Sequence, residues 1–220
     1  MIAVIQCAGS KRKSAGFLKM QDGRPVLFVA HPELAPPRAN CTYVRPDDES
    51  DAEGTWRDQL LAYNASPGDN PLGLLPAFEL YENDIYRALA KQLGVEKTYI
   101  LSAGWGLIGA AFLTPAYDIT FSAQADKFVR RRKRDTFCDL ALLPASTTDQ
   151  VVFFGSKEYV PLFAALTGGV KGERIVFYNS ATAPAAPRCK VVRFETRTRT
   201  NWQYECAAAF LRGGLATASI

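Results

Sequence analysis

The sequence predicts a single α/β domain spanning residues 1–220, with a largely parallel or mixed central sheet flanked by helices and a long Pro-rich insertion. Three observations predict it. Short apolar, β-branched runs recur along the chain, and helical patterns separate most of them. At 220 residues, 48% hydrophobic and 22% charged, the chain has ordinary globular composition and can bury one sizeable core. No apolar run reaches the roughly 20 residues that a bilayer span needs. The opening "MIAVIQCAGSKRKS" has no basic segment ahead of its apolar part, so it reads as a first strand entering a turn rather than as a secretory signal. A cytoplasmic protein without a membrane partner is expected.

Taken in order, Met1 to Gln6 reads as a central strand. From Gly16 to Pro76 the texture changes to eight prolines with little periodicity, an irregular insertion or lid of the kind that often walls a binding site. Within it, "GTWRDQLLAYN" fits a short amphipathic helix with Trp56, Leu60 and Tyr63 on one side. "NDIYRALAKQLG" is a second helix, capped by Asn83 or Asp84 and stopped by Gly94. A strand at Thr98–Leu101 follows. A helix from about Ala123 to Leu143 is expected to carry the basic cluster. Strands at Val151–Phe154, Arg174–Asn179 and "KVVRFET", a helix after Gly155 and a C-terminal helix in "NWQYECAAAFLRGG" complete the pattern.

Charge and cysteine usage narrow the chemistry. The net charge of +4 is only mildly basic, but "KFVRRRKR" (Lys127 to Arg134) packs six cations into eight residues. A second basic run spans Arg193 to Arg199, and "DDESD" forms an acidic knot. The five cysteines show no C-x-x-C spacing, and His31 is the only histidine. Zinc sites and histidine-based triads are therefore disfavoured, no metal or cofactor is expected, and reduced cysteines in a cytosolic protein are the better reading. Any acid–base work falls to carboxylates, tyrosines, lysines or a thiol.

In such folds ligands bind at the carboxyl ends of the strands. Four strand ends here are polar or glycine-containing: "CAGSKRK" (Cys7 to Lys13), "SAGWG" (Ser102 to Gly106), "GSKEY" (Gly155 to Tyr159) and "YNS" (Tyr178 to Ser180). The Cys7–Lys11 turn, with Ser10 and Lys11, suits a phosphate or carboxylate, but equally a plain turn with surface lysines. Ser156 and Lys157 repeat the theme, with Tyr159 beside them. Tyr117–Asp118 sets a phenol next to a carboxylate, which fits acid–base or nucleophilic chemistry as well as an ordinary turn. Trp105, between Gly104 and Gly106, either stacks a base or fills a glycine-lined turn. Arg130, Arg131 and Arg132 open five successive cations that read as a solvated helix face or as contacts to a phosphate backbone. "TRTNWQYEC" suits a pocket wall or a docked terminal helix.

"FELYENDIYRAL", then "LSAGWGLI", "LTPAYD" and "FFGSKEYVPLF" together resemble the YaaA family of peroxide stress proteins, over roughly Pro76 to Phe163. The resemblance implies an α/β fold with a basic cleft, DNA binding and protection of DNA during oxidative stress. Related domains occur beside base-modification enzymes acting on tRNA or DNA. Asp118 departs from the pattern, standing where the stress proteins carry arginine. Two main readings follow, beside a third in which the protein is a redox or scaffold protein without a nucleic-acid partner, with Cys7 as a low-pKa thiol. In one, the protein binds nucleic acid in a cleft lined by Cys7, Ser10, Lys11, Ser102, Trp105, Tyr117, Asp118, Ser156 and Tyr159, with phosphates on Lys11, Lys157 and the Arg130–Arg134 face. In the other, it is an enzyme acting on a nucleoside or nucleic-acid base, with Asp118 as nucleophile or general base and Tyr117 and Cys7 beside it.

Overall fold

The computed structural model describes residues 1–198 and 200–215; Arg199, the last cation of the second basic run, and residues 216–220 lie outside the described residues. The elements run β1 (Ile2–Gln6), β2 (Val26–Val29), β3 (Thr42–Val44), α1 (Trp56–Ala65), β4 (Leu75–Pro76), α2 (Ala77–Leu80), α3 (Ile85–Leu93), β5 (Thr98–Ser102) and β6 (Gly106–Gly109). They continue with β7 (Leu113–Thr114), β8 (Tyr117–Asp118), β9 (Leu140–Ala141), β10 (Val151–Phe154), α4 (Val160–Leu166), β11 (Arg174–Tyr178), β12 (Lys190–Arg193) and α5 (Trp202–Leu211).

The main sheet is seven-stranded and mixed, in the order β12-β11-β10-β1-β5-β6-β9. Strands β1, β5, β10, β11 and β12 are mutually parallel. β6 folds back antiparallel onto β5 and pairs in parallel with β9. β1 is central, with Val4 opposite Phe153 on one side and Tyr99 on the other. Its residues Ala3 to Ile5 are fully buried, as a strand covered on both faces requires.

Consecutive strand residues point to opposite faces, and β10 shows what each face receives. Phe153 stacks on Phe163 of α4 at 4.6 Å, whereas Phe154 meets Phe210 of α5 at 5.3 Å. The two helices therefore cover opposite sides, and α3 packs beside α5. Helix α3 begins where Asn83 Oδ1 accepts from the Ile85 amide, and it ends at Gly94, whose φ of 96° suits glycine. Helix α1 opens with a reciprocal capping box between Thr55 and Asp58 and buries Trp56 and Leu60.

Residues 16–76, expected as an irregular insertion or lid, contain β2, β3, α1 and β4. β2 pairs in parallel with both β3 and β8, forming a second, three-stranded sheet. Phe28 of β2 meets Trp105 edge-on at 4.8 Å, which docks this sheet onto the main core.

One expected element is absent. No helix forms between Ala123 and Leu143; turns lead instead into β9. Backbone and side-chain competition explains it. Asp126 O accepts from the Val129 and Arg130 amides to close a turn, and Asp135 Oδ2 takes the Arg132 amide at 2.6 Å. The strand-like exchange of Thr120 N to Val129 O and Arg131 N to Thr120 O takes the Val129 carbonyl and the Arg131 amide, both of which a helix would need. Among the described residues no helix is long and apolar enough to cross a membrane.

Candidate functional site

The Gly-Trp-Gly turn is a rigid support rather than a binding wall. Ser102 Oγ, at the end of β5, accepts from the Gly104 and Trp105 amides and donates to Tyr117 Oη at 2.9 Å. The turn's carbonyls go to two buried arginines. Arg131 Nη1 donates to Ala103 O at 2.9 Å, and Arg57 donates to Gly104 O and Trp105 O, each at 3.1 Å. Both guanidiniums are ion-paired, Arg57 with Asp47 and Arg131 with Asp139, each at 2.6 Å. Gly106 holds φ of 89°, and a Cβ there would lie 2.5 Å from the backbone N and O of Leu140. Glycine is therefore required where β6 begins beside β9.

This arrangement corrects three expectations. Trp105 is 0% exposed and its indole lies among Phe28, Tyr117 and the Arg57 guanidinium, so no face is open to a base. Gly106 is likewise buried against β9. Arg131 is buried and saturated by Asp139 and Ala103, so it does not reach for phosphate. Of its neighbours, Arg130 is half-buried and donates to Ala123 O, and Arg132 is half-buried. Together they form no continuous basic helix face.

The remaining predicted residues converge around the loop that follows β1. Cys7 is buried, with its thiol 3.2 Å from Tyr159 Oη and accepting from the Ala103 amide at 3.4 Å. Tyr117 Oη also meets Tyr81 Oη at 2.8 Å. Burial holds the phenols of Tyr81, Tyr117 and Tyr159 well above the ordinary tyrosine range, with the Cys7 thiol adding to the effect, so all three remain protonated donors. Lys11 Nζ lies 4.2 Å over the Tyr117 ring and donates to Ala8 O and Gly9 O. The loop is pinned by the Arg12 amide to Leu80 O and by a bridge between Lys11 and Tyr81.

Lys11, Tyr117 and Asp118 line one chamber, and Cys7, Ser156 and Tyr159 another. The larger, about 720 Å³, is lined by Lys11, Arg12, Lys13 and Arg38, by Tyr117 and Asp118 of β8, and by Phe17, Tyr43 and Phe128. Four cations face one carboxylate. Burial lowers the Lys11 pKa, with Cys7 and Asp118 pulling it back up. Asp118 is exposed on the cleft wall, yet partial desolvation raises its pKa, with Lys11 opposing the rise. Each of the two groups therefore sets part of the other's electrostatics.

The smaller chamber, about 350 Å³, contains Cys7, Ser156 and Tyr159. Ser10 opens onto an adjoining cavity with Glu82 and Asn83, and Lys157 onto another beside Tyr178 and Asn179. Gly9 borders the large cleft, the small chamber and the Ser10 cavity.

Several lining residues do not stand out as site residues in the sequence. Arg12 and Lys13 directly follow Lys11, so that signal was present. Arg38 and Tyr43 come from the Pro-rich segment, where nothing local marks them. Tyr81 is visible only through its bond to Tyr117. His31, which showed no partner in the sequence, sits 3.0 Å from Asp135 and 3.4 Å from Glu33.

Compared with family models, with curated proteins and with solved structures, the chain matches none.

Proposed function

We propose that the large cleft binds a nucleotide unit, within a nucleic acid or free, and that Asp118 performs acid–base chemistry on it. The observation that carries this reading is the cleft lining: four cations, aromatic side chains and a single carboxylate around about 720 Å³. That volume lies in the range of ligand sites. The net charge of the lining, four positive against one negative, favours phosphate through focused potential. Phe17, Tyr43 and Phe128 supply the apolar faces a base would use.

DNA binding, which the YaaA resemblance implies, is the nucleic-acid form of this reading, and a place in DNA protection during oxidative stress rests on that resemblance alone. The enzymatic form rests on Asp118, whose carboxylate would repel phosphate but can accept or deliver a proton at a sugar or base. All five cysteines are free of disulfides, which supports a cytoplasmic setting.

The test is binding of labelled single-stranded DNA, double-stranded DNA, tRNA and adenosine monophosphate across a salt titration. Replacing Arg12 and Arg38 by alanine is expected to weaken binding at least tenfold and to flatten the salt slope by about one unit for each phosphate no longer neutralised. Replacing the exposed Lys133 and Arg134 is expected to change little. The opposite pattern would move the binding surface out of the cleft.

A further inference from the structure

We infer a second, separate binding site in the small chamber, built for an uncharged ligand that carries vicinal hydroxyls, of the nucleoside or sugar class. Three observations lead to it.

The first is topological. The chain leaves β1 towards β5 and β6, then returns to the other side of β1 through β10, β11 and β12. The crevice outside the carboxyl ends of β1 and β10 is therefore the point where the strand order reverses, the place where open α/β sheets bind ligands. The chamber occupies that position, with Gln6 leaving β1, Ser156 and Glu158 leaving β10, and Asn201, Gln203 and Tyr204 opening α5.

The second is charge. Glu158 is the one charged side chain of this lining, and Lys157 lies with it only in the adjoining cavity beside Tyr178. A phosphate is thereby disfavoured, in contrast to the basic cleft on the other side of the Cys7 loop. The two sites select for opposite chemistry.

The third is preorganised hydrogen bonding. The Ser156 amide donates to Gln6 Oε1 at 2.6 Å, which commits the Gln6 oxygen and leaves its NH₂ as a donor. Gln203 is only 5% exposed and lines the chamber beside Tyr204. Asn201 adopts φ of 60° at the start of α5, and its side chain makes no capping bond. The Glu158 carboxylate makes no hydrogen bond or ion pair to the described residues. A carboxylate with two free oxygens accepts from two adjacent hydroxyls, and amides match the donor and acceptor edges of a heterocycle or sugar.

The test uses the intact chain with adenosine, cytidine, D-ribose and 2′,3′-dideoxyadenosine in ligand-observed NMR and calorimetry. A ribonucleoside or ribose is expected to bind, with the dideoxy compound at least tenfold weaker than adenosine. Glu158→Gln, an exposed change that leaves the fold intact, should weaken binding at least tenfold. Gln203→Leu should do the same, its folding checked by circular dichroism. Arg12→Ala and Arg38→Ala should leave nucleoside binding unchanged, while oligonucleotide binding reports separately on the basic cleft. The inference is overturned if no uncharged probe binds at millimolar concentration, or if the dideoxy compound binds equally. It is also overturned if Glu158→Gln keeps binding that Arg38→Ala loses, which would seat the nucleoside in the basic cleft.

Discussion

Lys11 and Asp118 each hold the other's charge against burial, and this pairing gives the sharpest prediction at the scale of single residues. Removing the carboxylate in Asp118→Asn should lower the Lys11 pKa further, because burial already lowers it and the Asp118 charge opposes that. Titration of the Lys11 ε-amine by NMR after reductive methylation would read the shift; an unchanged Lys11 would remove the coupling. The same variant bears on stability. Asp118 has a folded pKa above its unfolded value, so the native state binds the extra proton and stability falls as pH rises through that window. Asp118→Asn should thus be no less stable than the parent at pH 7 and lose that advantage below about pH 4, the ordinary aspartate range. Turnover, where present, should disappear in the variant. Tyr117 and Asp118 were legible as a pair because a phenol beside a carboxylate is chemically conspicuous. Tyr81 was not, since its role depends on a contact across 36 residues.

Among the elements, the turn from Ser102 to Gly106 shows how a sequence can mark the right place for the wrong reason. Its glycines and tryptophan signalled something unusual, and the unusual feature is that two buried arginines bind three successive carbonyls. The basic run that supplies Arg131 looked like one uniform surface. It is instead a set of turns in which one cation is internal and Lys133 and Arg134 are exposed. Arg131→Ala should therefore cost about 3–5 kcal/mol, because it leaves the Asp139 carboxylate buried without its partner. Lys133→Ala and Arg134→Ala should stay within about 0.5 kcal/mol. Denaturant unfolding would compare them, and equal effects would contradict the buried ion pair. The expected helix failed because aspartate and threonine groups near the run satisfy its backbone locally, and no apolar 3.6-residue stripe supports a helix.

For the molecule as a whole, the mixed sheet followed from the recurrent strand and helix patterns, each encoded within a few residues. The reversal of strand order at β1 did not, because it depends on which distant strand pairs with which edge. Charge behaves similarly. The total of +4 is modest, but three of the cations in the large cleft, Arg12, Lys13 and Arg38, can be removed without touching Lys11 or Asp118. Their joint replacement by alanine leaves +1 and should abolish salt-sensitive nucleotide binding. Replacing the exposed Lys91, Lys97 and Lys171 makes the same change in net charge and should leave binding intact. If both triple variants lose binding alike, net charge and not the cleft is responsible.

The central position of β1 also has a consequence for how the chain is made. It is made ahead of every other strand of its sheet, and its two neighbours, β5 and β10, follow much later in the chain. At ~5–20 residues per second this apolar strand waits several seconds with both edges open, and longest on the β10 side. The residues of the basic cleft all precede β10, whereas the small chamber needs Ser156, Glu158 and the start of α5. Vectorial synthesis thus delivers the linings of the two chambers in succession, and until β10 arrives the exposed edge of β1 is the place where nascent chains would pair with one another.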